Sequence, residues 1–168
     1  MSKLAGRAIA ESTKIQALIT DLGSEAACLE GGITTIRPPA PEFADQGKRA
    51  IDEAGKYRGR PLMYQFMGTG AGRGPYVELE DGSVKLDLIN GIGVHIFGHG
   101  NAKIRAAAVR GAMSDVVMQG NLEPNHEYAA LGKKMVELAS KKSRLKYGWL
   151  TTCGTMANEN ALKVGRQK

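Results

Sequence analysis

Apolar positions along the chain change their period several times, and each change marks an element. Over residues 12–22, Ile15, Leu18, Ile19 and Leu22 recur at helical spacing. This predicts an amphipathic helix with Ser12 or Thr13 at its start and Gly23 at its stop. Residues 31–75 are broken by Gly-Gly, RPPAPE and GTGAGRGP, with a short polar helix over 46–54 between them. They read as a turn-rich arm suited to lying across another surface. In PYVELEDGSVKLDLIN the period drops to two: Val77 and Leu79 alternate with glutamates, and Val84, Leu86 and Leu88 alternate with Lys85 and Asp87. Alternation on both sides of Asp81-Gly82 predicts a β-hairpin over 76–89 with one buried face, closed by a type I′ turn.

A Gly-rich apolar loop, GIGVHIFGHG, leads into a predicted helix over 101–117, capped by Asn101 and with Ile104, Ala107, Ala108 and Ala112 as its core side. After MQGNLEP a second helix starts near Asn125 and carries Tyr128, Leu131, Met135, Leu138 and Ala139 on one stripe, leaving its lysines to water. Residues 146–152 read as a buried strand. Residues 155–167 read as a helix with Ala157, Ala161, Leu162 and Val164 available to pack on that strand. A helix, strand, helix order from about residue 121 is that of the opening of a doubly wound α/β sheet.

Composition narrows the classes. The 168 residues are 42% hydrophobic and 24% charged, with 22 glycines, which describes a soluble α/β globule and excludes a disordered chain. The formal charge of +6 hints at anionic partners, yet Lys and Arg share their segments with Asp and Glu. The nearest clusters, Lys133 and Lys134, then Lys141, Lys142, Arg144 and Lys146, read as solvated helix faces and a loop, and aromatics are too sparse to add stacking platforms. No nucleic-acid role is expected. Cys28 and Cys153 have no metal or disulfide spacing and fit a reducing cytoplasm. The N-terminal stretch lacks a secretory apolar core, and no run reaches the length of a membrane span.

Three stretches carry candidate chemistry. GTGAGRG, residues 68–74, looks like a dinucleotide loop, but that fingerprint needs a strand before it and a helix after it. Here Pro75 and a strand follow, so a flexible lead-in is expected instead. His95 and His99 sit in a Gly-rich loop with no acidic residue placed as in a metalloprotease motif, and with His126 they read as packing and hydrogen-bonding residues, so no metal site is expected. The Gly154-Thr155 junction, between predicted strand and helix, has two readings. It is an anion cradle, because the first helical turn leaves N–H groups unpaired and a Gly lets a phosphate approach them; or it merely turns and caps the helix.

Taken together, YVELEDGSVKLDLINGIGVHIFGHGNAKI, NLEPNHEYAALGKKMVELA and CGTMANENALKVGRQK resemble the N-terminal part of a class III pyridoxal-phosphate-dependent aminotransferase. That family includes the acetylornithine, ornithine and 4-aminobutyrate enzymes. The likeness runs in order and with natural spacing over residues 74–168, and residues 1–73 carry little of it. It implies a fold-type I α/β enzyme, with 1–120 as N-terminal arm and part of the small domain and 121–168 as the start of the large cofactor-binding domain. It implies pyridoxal 5'-phosphate as cofactor, its phosphate held by the backbone N–H groups of Gly154 and Thr155 and by the Thr hydroxyl. Ile92 and Gly93 then line the substrate entrance, in company with the other subunit of a homodimer, and an amino group moves between an amino acid or ω-amino compound and a 2-oxo acid.

Three positions depart from the family pattern. Met156 stands where an acidic residue is usual, and Asn101-Ala102 where His-Pro is common. The family's Schiff-base lysine, its carboxylate at the pyridine nitrogen and its ring over the cofactor all lie beyond the equivalent of Lys168. No catalytic residue is therefore nominated, and the chain reads as the front portion of an enzyme, inactive alone. The rival readings are a same-fold aminomutase, racemase or decarboxylase, and a non-catalytic truncated remnant or phosphate-binding module.

Overall fold

Ser12 divides the N-terminal helical run in two. Helix α1 (Ala5–Glu11) ends where Ser12 takes an extended conformation, and the Ser12 hydroxyl accepts the Ile15 N–H at 3.3 Å to start α2 (Thr13–Leu29). The expected stop at Gly23 does not occur. A glycine inside a helix costs about 1 kcal/mol, and the helix-forming run from Glu25 to Leu29 that follows it carries α2 onward. The computed structural model describes residues 4–115 and 124–167, which divide into two units at 1–114 and 115–168.

In the first unit, residues 31–75 lie across the hairpin. Ile33 is buried, and Arg37 exchanges both backbone hydrogen bonds with Val84, at 3.1 and 3.0 Å. The Arg37 side chain also donates to Gly82 O and to the Glu78 carboxylate, each at 2.9 Å. Helix α3 (Ala44–Arg58) outruns the expected 46–54 at both ends and stops at Gly59, which takes the left-handed conformation that ends helices. Residues 68–73 are not a flexible lead-in. They form β1 (Gly68–Arg73), antiparallel to β2 (Tyr76–Leu79), which pairs in turn with β3 (Val84–Leu86).

The hairpin forms, but not with the expected turn. Its loop has three residues: the Gly82 N–H donates to Leu79 O at 2.9 Å, the Ser83 N–H donates to the Asp81 carboxylate at 2.9 Å, and Gly82 alone takes a positive φ, of 77°. A type I′ turn needs positive φ at Asp81 as well. The extra residue changes the register to Glu78↔Val84, Val77↔Lys85 and Tyr76↔Leu86. One step of register exchanges faces, so Val77 and Leu79 lie on the face opposite Val84 and Leu86. Leu79, 8% exposed, lines a cavity with Ala44, Gly47 and Ile51 of α3, whereas Val84 is fully buried and Leu86 and Leu88 are exposed. A Cβ at Gly82 falls 2.7 Å from Phe43 Cδ2 and 3.0 Å from Ala40 Cβ. Gly82→Ala is therefore expected to cost about 2 kcal/mol, from left-handed strain and the clash together, read as a lowered urea midpoint; an unchanged midpoint contradicts this loop.

Helix α4 (Ala102–Ala112) begins as expected, with Asn101 Oδ1 accepting the Lys103 and Ile104 N–H groups at 3.0 and 3.2 Å. It ends at Ala112; of the residues expected beyond, 116 and 117 lie outside the described ones. Its packed side is Arg105, Ala106 and Val109, not Ile104, Ala107, Ala108 and Ala112. The reason is an ion pair. Glu30, 8% exposed at the end of α2, takes two hydrogen bonds from Arg105, at 2.8 and 2.5 Å, and one from the Gly72 N–H at 3.4 Å, which fixes the α4 face that meets α2. Among the described residues the buried apolar core is Ile19, Ile33, Leu79 and Val84.

The second unit contains α5 (His126–Ser140), which Asn125 caps by accepting the Tyr128 N–H at 2.9 Å, and α6 (Gly154–Arg166). Tyr128, Gly132, Val136 and Ala139 form its half-buried stripe, and Leu131, Met135 and Leu138 are exposed. Residues 146–152 form no strand, and Tyr147 and Trp149 are exposed. A strand is defined by the neighbour it pairs with, and no described residue of this unit supplies one. Ala157, Ala161, Leu162 and Val164 of α6 are exposed as well. No described helix is long and apolar enough to cross a membrane.

Candidate functional site

The first turn of α6 is built to stay open. Thr151 donates its hydroxyl to Cys153 O at 3.2 Å, Cys153 takes an extended conformation, and its carbonyl accepts the first helical hydrogen bond, from the Ala157 N–H at 3.0 Å. Side chains of Ser12, Asn101 and Asn125 cap α2, α4 and α5, but none caps α6, and its first turn has no acidic residue. The turn thus presents unpaired N–H groups and the positive end of the helix dipole. A Cβ at Gly154 meets nothing within 4 Å, and Thr155 and Met156 are exposed, so the approach is clear.

The same turn already acts on a neighbouring thiol. The Met156 N–H, which faces the exposed Cys153 thiol without closing a cap hydrogen bond, holds its pKa below the ordinary thiol value, with the Thr155 N–H and the Thr152 and Thr155 side chains adding to the effect against desolvation. A turn whose N–H groups lower a neighbouring thiol's pKa draws an external anion for the same reason.

The second region is the loop between β3 and α4. Asp87 Oδ1 accepts the Ile89 and Asn90 N–H groups at 3.0 and 2.8 Å, and Oδ2 accepts the Gly91 N–H at 3.0 Å. His99 Nε2 lies 2.7 Å from the same Oδ2, and both side chains are only 15% exposed. That contact, more than the backbone donors, depresses the Asp87 pKa below the usual carboxylate range. The ring of His95 rests against that of His99 with centroids 4.0 Å apart, and the His99 backbone pairs both ways with Gly74, at 2.8 and 3.0 Å. Asn90, Gly91, Ile92 and Gly93 follow one another at φ of 59°, 57°, 59° and 83°. Ile92 stands at the tip of this left-handed turn, 89% exposed, with Val94, Ile96 and Phe97 also exposed nearby in sequence.

Ile92 and Gly93 thus lie in the first unit, and Gly154 and Thr155 in the second. His95 and His99 do pack and hydrogen-bond, but His99 does so against an acid twelve residues away that sequence spacing left on the hairpin's polar side. His126 is the first residue of α5 and is exposed. Cys28 and Cys153 are both exposed free thiols, and among the described residues no group of three or more His, Cys, Asp and Glu is arranged to hold a metal ion.

A family profile described as aminotransferase class-III matches residues 62–168, a span holding both the Ile92-Gly93 loop and the α6 turn. Glutamate-1-semialdehyde 2,1-aminomutase of Symbiobacterium thermophilum is 30% identical over 95 residues, which is 56% of this chain. The matched segment spans only 21% of that relative's length. No solved structure matches the chain.

Proposed function

The chain belongs to the class-III aminotransferase family, and from that premise we propose that it is the front part of a pyridoxal 5'-phosphate-dependent transaminase. The enzyme moves an amino group between an amino acid or ω-amino compound and a 2-oxo acid. The observation that carries this reading is the match over residues 62–168, which includes the uncapped, acid-free first turn of α6. That turn fits the cofactor's phosphate: the space over Gly154 is open, the first turn carries no acidic residue, and its N–H groups, which now face only the Cys153 thiol, are donors an anion can take. When bound, the cofactor supplies the electron sink for reactions at the carbon bearing the amino group.

The chain's own residues bind and orient. The backbone N–H groups of Gly154 and Thr155, with the Thr155 hydroxyl, hold the phosphate and so fix the cofactor's position. Met156 presents no carboxylate to that phosphate, which leaves the turn free of like-charge repulsion. Ile92 and Gly93 line the substrate entrance and keep water from it, with the second subunit of a homodimer completing the enclosure. Residues 1–120 serve as arm and part of the small domain, and 121–168 open the large domain with its doubly wound sheet. The setting is cytoplasmic.

A second reading is an aminomutase, favoured by the 30% identical relative, whose name describes an amino-group shift within one molecule. The two separate in one experiment. The protein carrying this sequence, reconstituted with pyridoxal 5'-phosphate, is given amino compounds with and without a 2-oxo acid. Turnover that requires the oxo acid marks the transaminase, and isomerisation without it marks the mutase. If no visible absorption band forms on reconstitution, both readings fall.

A further inference from the structure

We propose that Asp87 is the positioning residue of the entrance loop: its carboxylate, paired with His99, holds residues 90–93 in a left-handed turn and presents Ile92 to the aliphatic part of an amino substrate. This rests on reading Ile92 and Gly93 as entrance residues.

Left-handed backbone is unfavourable for any residue with a Cβ and most of all for a β-branched one, so Ile92 at a φ of 59° is a strained position. Strain of this kind persists only where surrounding contacts over-determine it. The turn's own hydrogen bonds, Ile92 N–H to Ile89 O at 3.1 Å and the Gly93 and His95 N–H groups to Asn90 O at 3.0 Å each, are short-range and leave its leading N–H groups without internal acceptors. Asp87 takes those groups, at Ile89, Asn90 and Gly91, with both oxygens. His99 then secures the carboxylate from behind, itself fixed by its backbone pairing with Gly74.

The strain does not serve packing. Ile92 is 89% exposed, so its side chain gains no packing from the described residues in exchange. An exposed, apolar, β-branched side chain held in an unfavourable conformation has a use in contact with something else. At an entrance for amino compounds, the chemistry that suits it is an alkyl chain, with the charged ends of the substrate held elsewhere.

The test compares Asp87→Asn, His99→Gln and Ile92→Ala in the protein carrying this sequence. Amide exchange is read at Ile89, Asn90 and Gly91, and at Val77 and Lys85 of the hairpin as a control for folding. KM and kcat are read with 4-aminobutyrate and L-ornithine as amino probes and 2-oxoglutarate as acceptor. Asp87→Asn is expected to speed exchange at the three turn amides at least tenfold with the hairpin amides unchanged, and to raise KM at least fivefold with kcat within twofold. His99→Gln is expected to move the same quantities in the same direction by less. Ile92→Ala is expected to raise KM while the turn amides stay protected.

Unchanged exchange at the turn in both Asp87→Asn and His99→Gln overturns the clamp, whatever Ile92→Ala does. Faster exchange with an unmoved KM leaves a purely structural bond and overturns the positioning role. An Ile92→Ala protein with wild-type KM overturns the entrance reading and the proposal with it, whereas a wild type that turns over neither probe overturns the transaminase reading on which the proposal rests.

Discussion

Glu30→Ala is expected to destabilise the first unit by about 2–3 kcal/mol, seen as a lowered urea midpoint. Breaking a buried pair by removing one member costs roughly 3–5 kcal/mol, because the remaining charge stays buried without its partner. The Arg105 side chain is 32% exposed, so water reaches the orphaned guanidinium and trims the cost. The loss is still large because Glu30 ties three elements: Arg105 of α4, the Gly72 N–H of β1 and its own place at the end of α2. The effect carries a pH signature. The Arg105 hydrogen bonds, opposed by desolvation and helped by the Gly72 N–H, hold the Glu30 pKa below its ordinary value of 4.5. A depressed carboxylate contributes stability that is present above its unfolded pKa and lost as pH falls through the folded one. The gap between wild type and Glu30→Ala should therefore be full at neutral pH and shrink as the pH falls below 4.5. A gap independent of pH contradicts the ion-pair account.

Gly154→Asp is expected to weaken pyridoxal 5'-phosphate binding by about a hundredfold or more, close to 2.7 kcal/mol, while leaving α6 as helical as before or more so. The two halves of this expectation have one cause. A carboxylate in the first turn stabilises the helix through its dipole and accepts the N–H groups that were open. It thereby occupies the anion site and repels the phosphate. The side chain enters free space, since nothing lies within 4 Å of a Cβ at Gly154, so misfolding is not the expected route to lost binding. Circular dichroism and a cofactor titration on the same sample separate the two effects.

Much of this architecture was legible where a local mechanism sets it. Ser12, Asn101 and Asn125 each stand before an apolar run, and each caps its helix, because capping depends only on a short polar side chain reaching N–H groups two or three residues ahead. Pairings decided at a distance were not legible. Arg37 closes on Gly82 and Val84 from outside the hairpin, and with the Asp81 bond to Ser83 it accompanies a three-residue loop that moves Val77 and Leu79 to the opposite face. The packed side of α4 follows from an ion pair between residues 75 apart, which no helical periodicity encodes. Residues 146–152 have the apolar run of a strand, but strand formation is a property of a pair.

The site divides the same way. The open turn at Gly154 and Thr155 was visible as a Gly-Thr junction ahead of a helix. The Asp87–His99 contact was not, because it closes across a left-handed turn in which Ile92 takes a conformation that its residue type disfavours.

The central claim is that the first turn of α6 holds a cofactor phosphate, and the most direct test compares two ligands that differ only in that group. Affinities for pyridoxal 5'-phosphate and for pyridoxal are measured by titration on the protein carrying this sequence and on its Gly154→Asp variant. The phosphate is expected to strengthen binding at least tenfold in the native protein, and this advantage is expected to disappear in the variant. Equal affinities for the two compounds in the native protein, or a phosphate advantage that survives Gly154→Asp, contradict that claim.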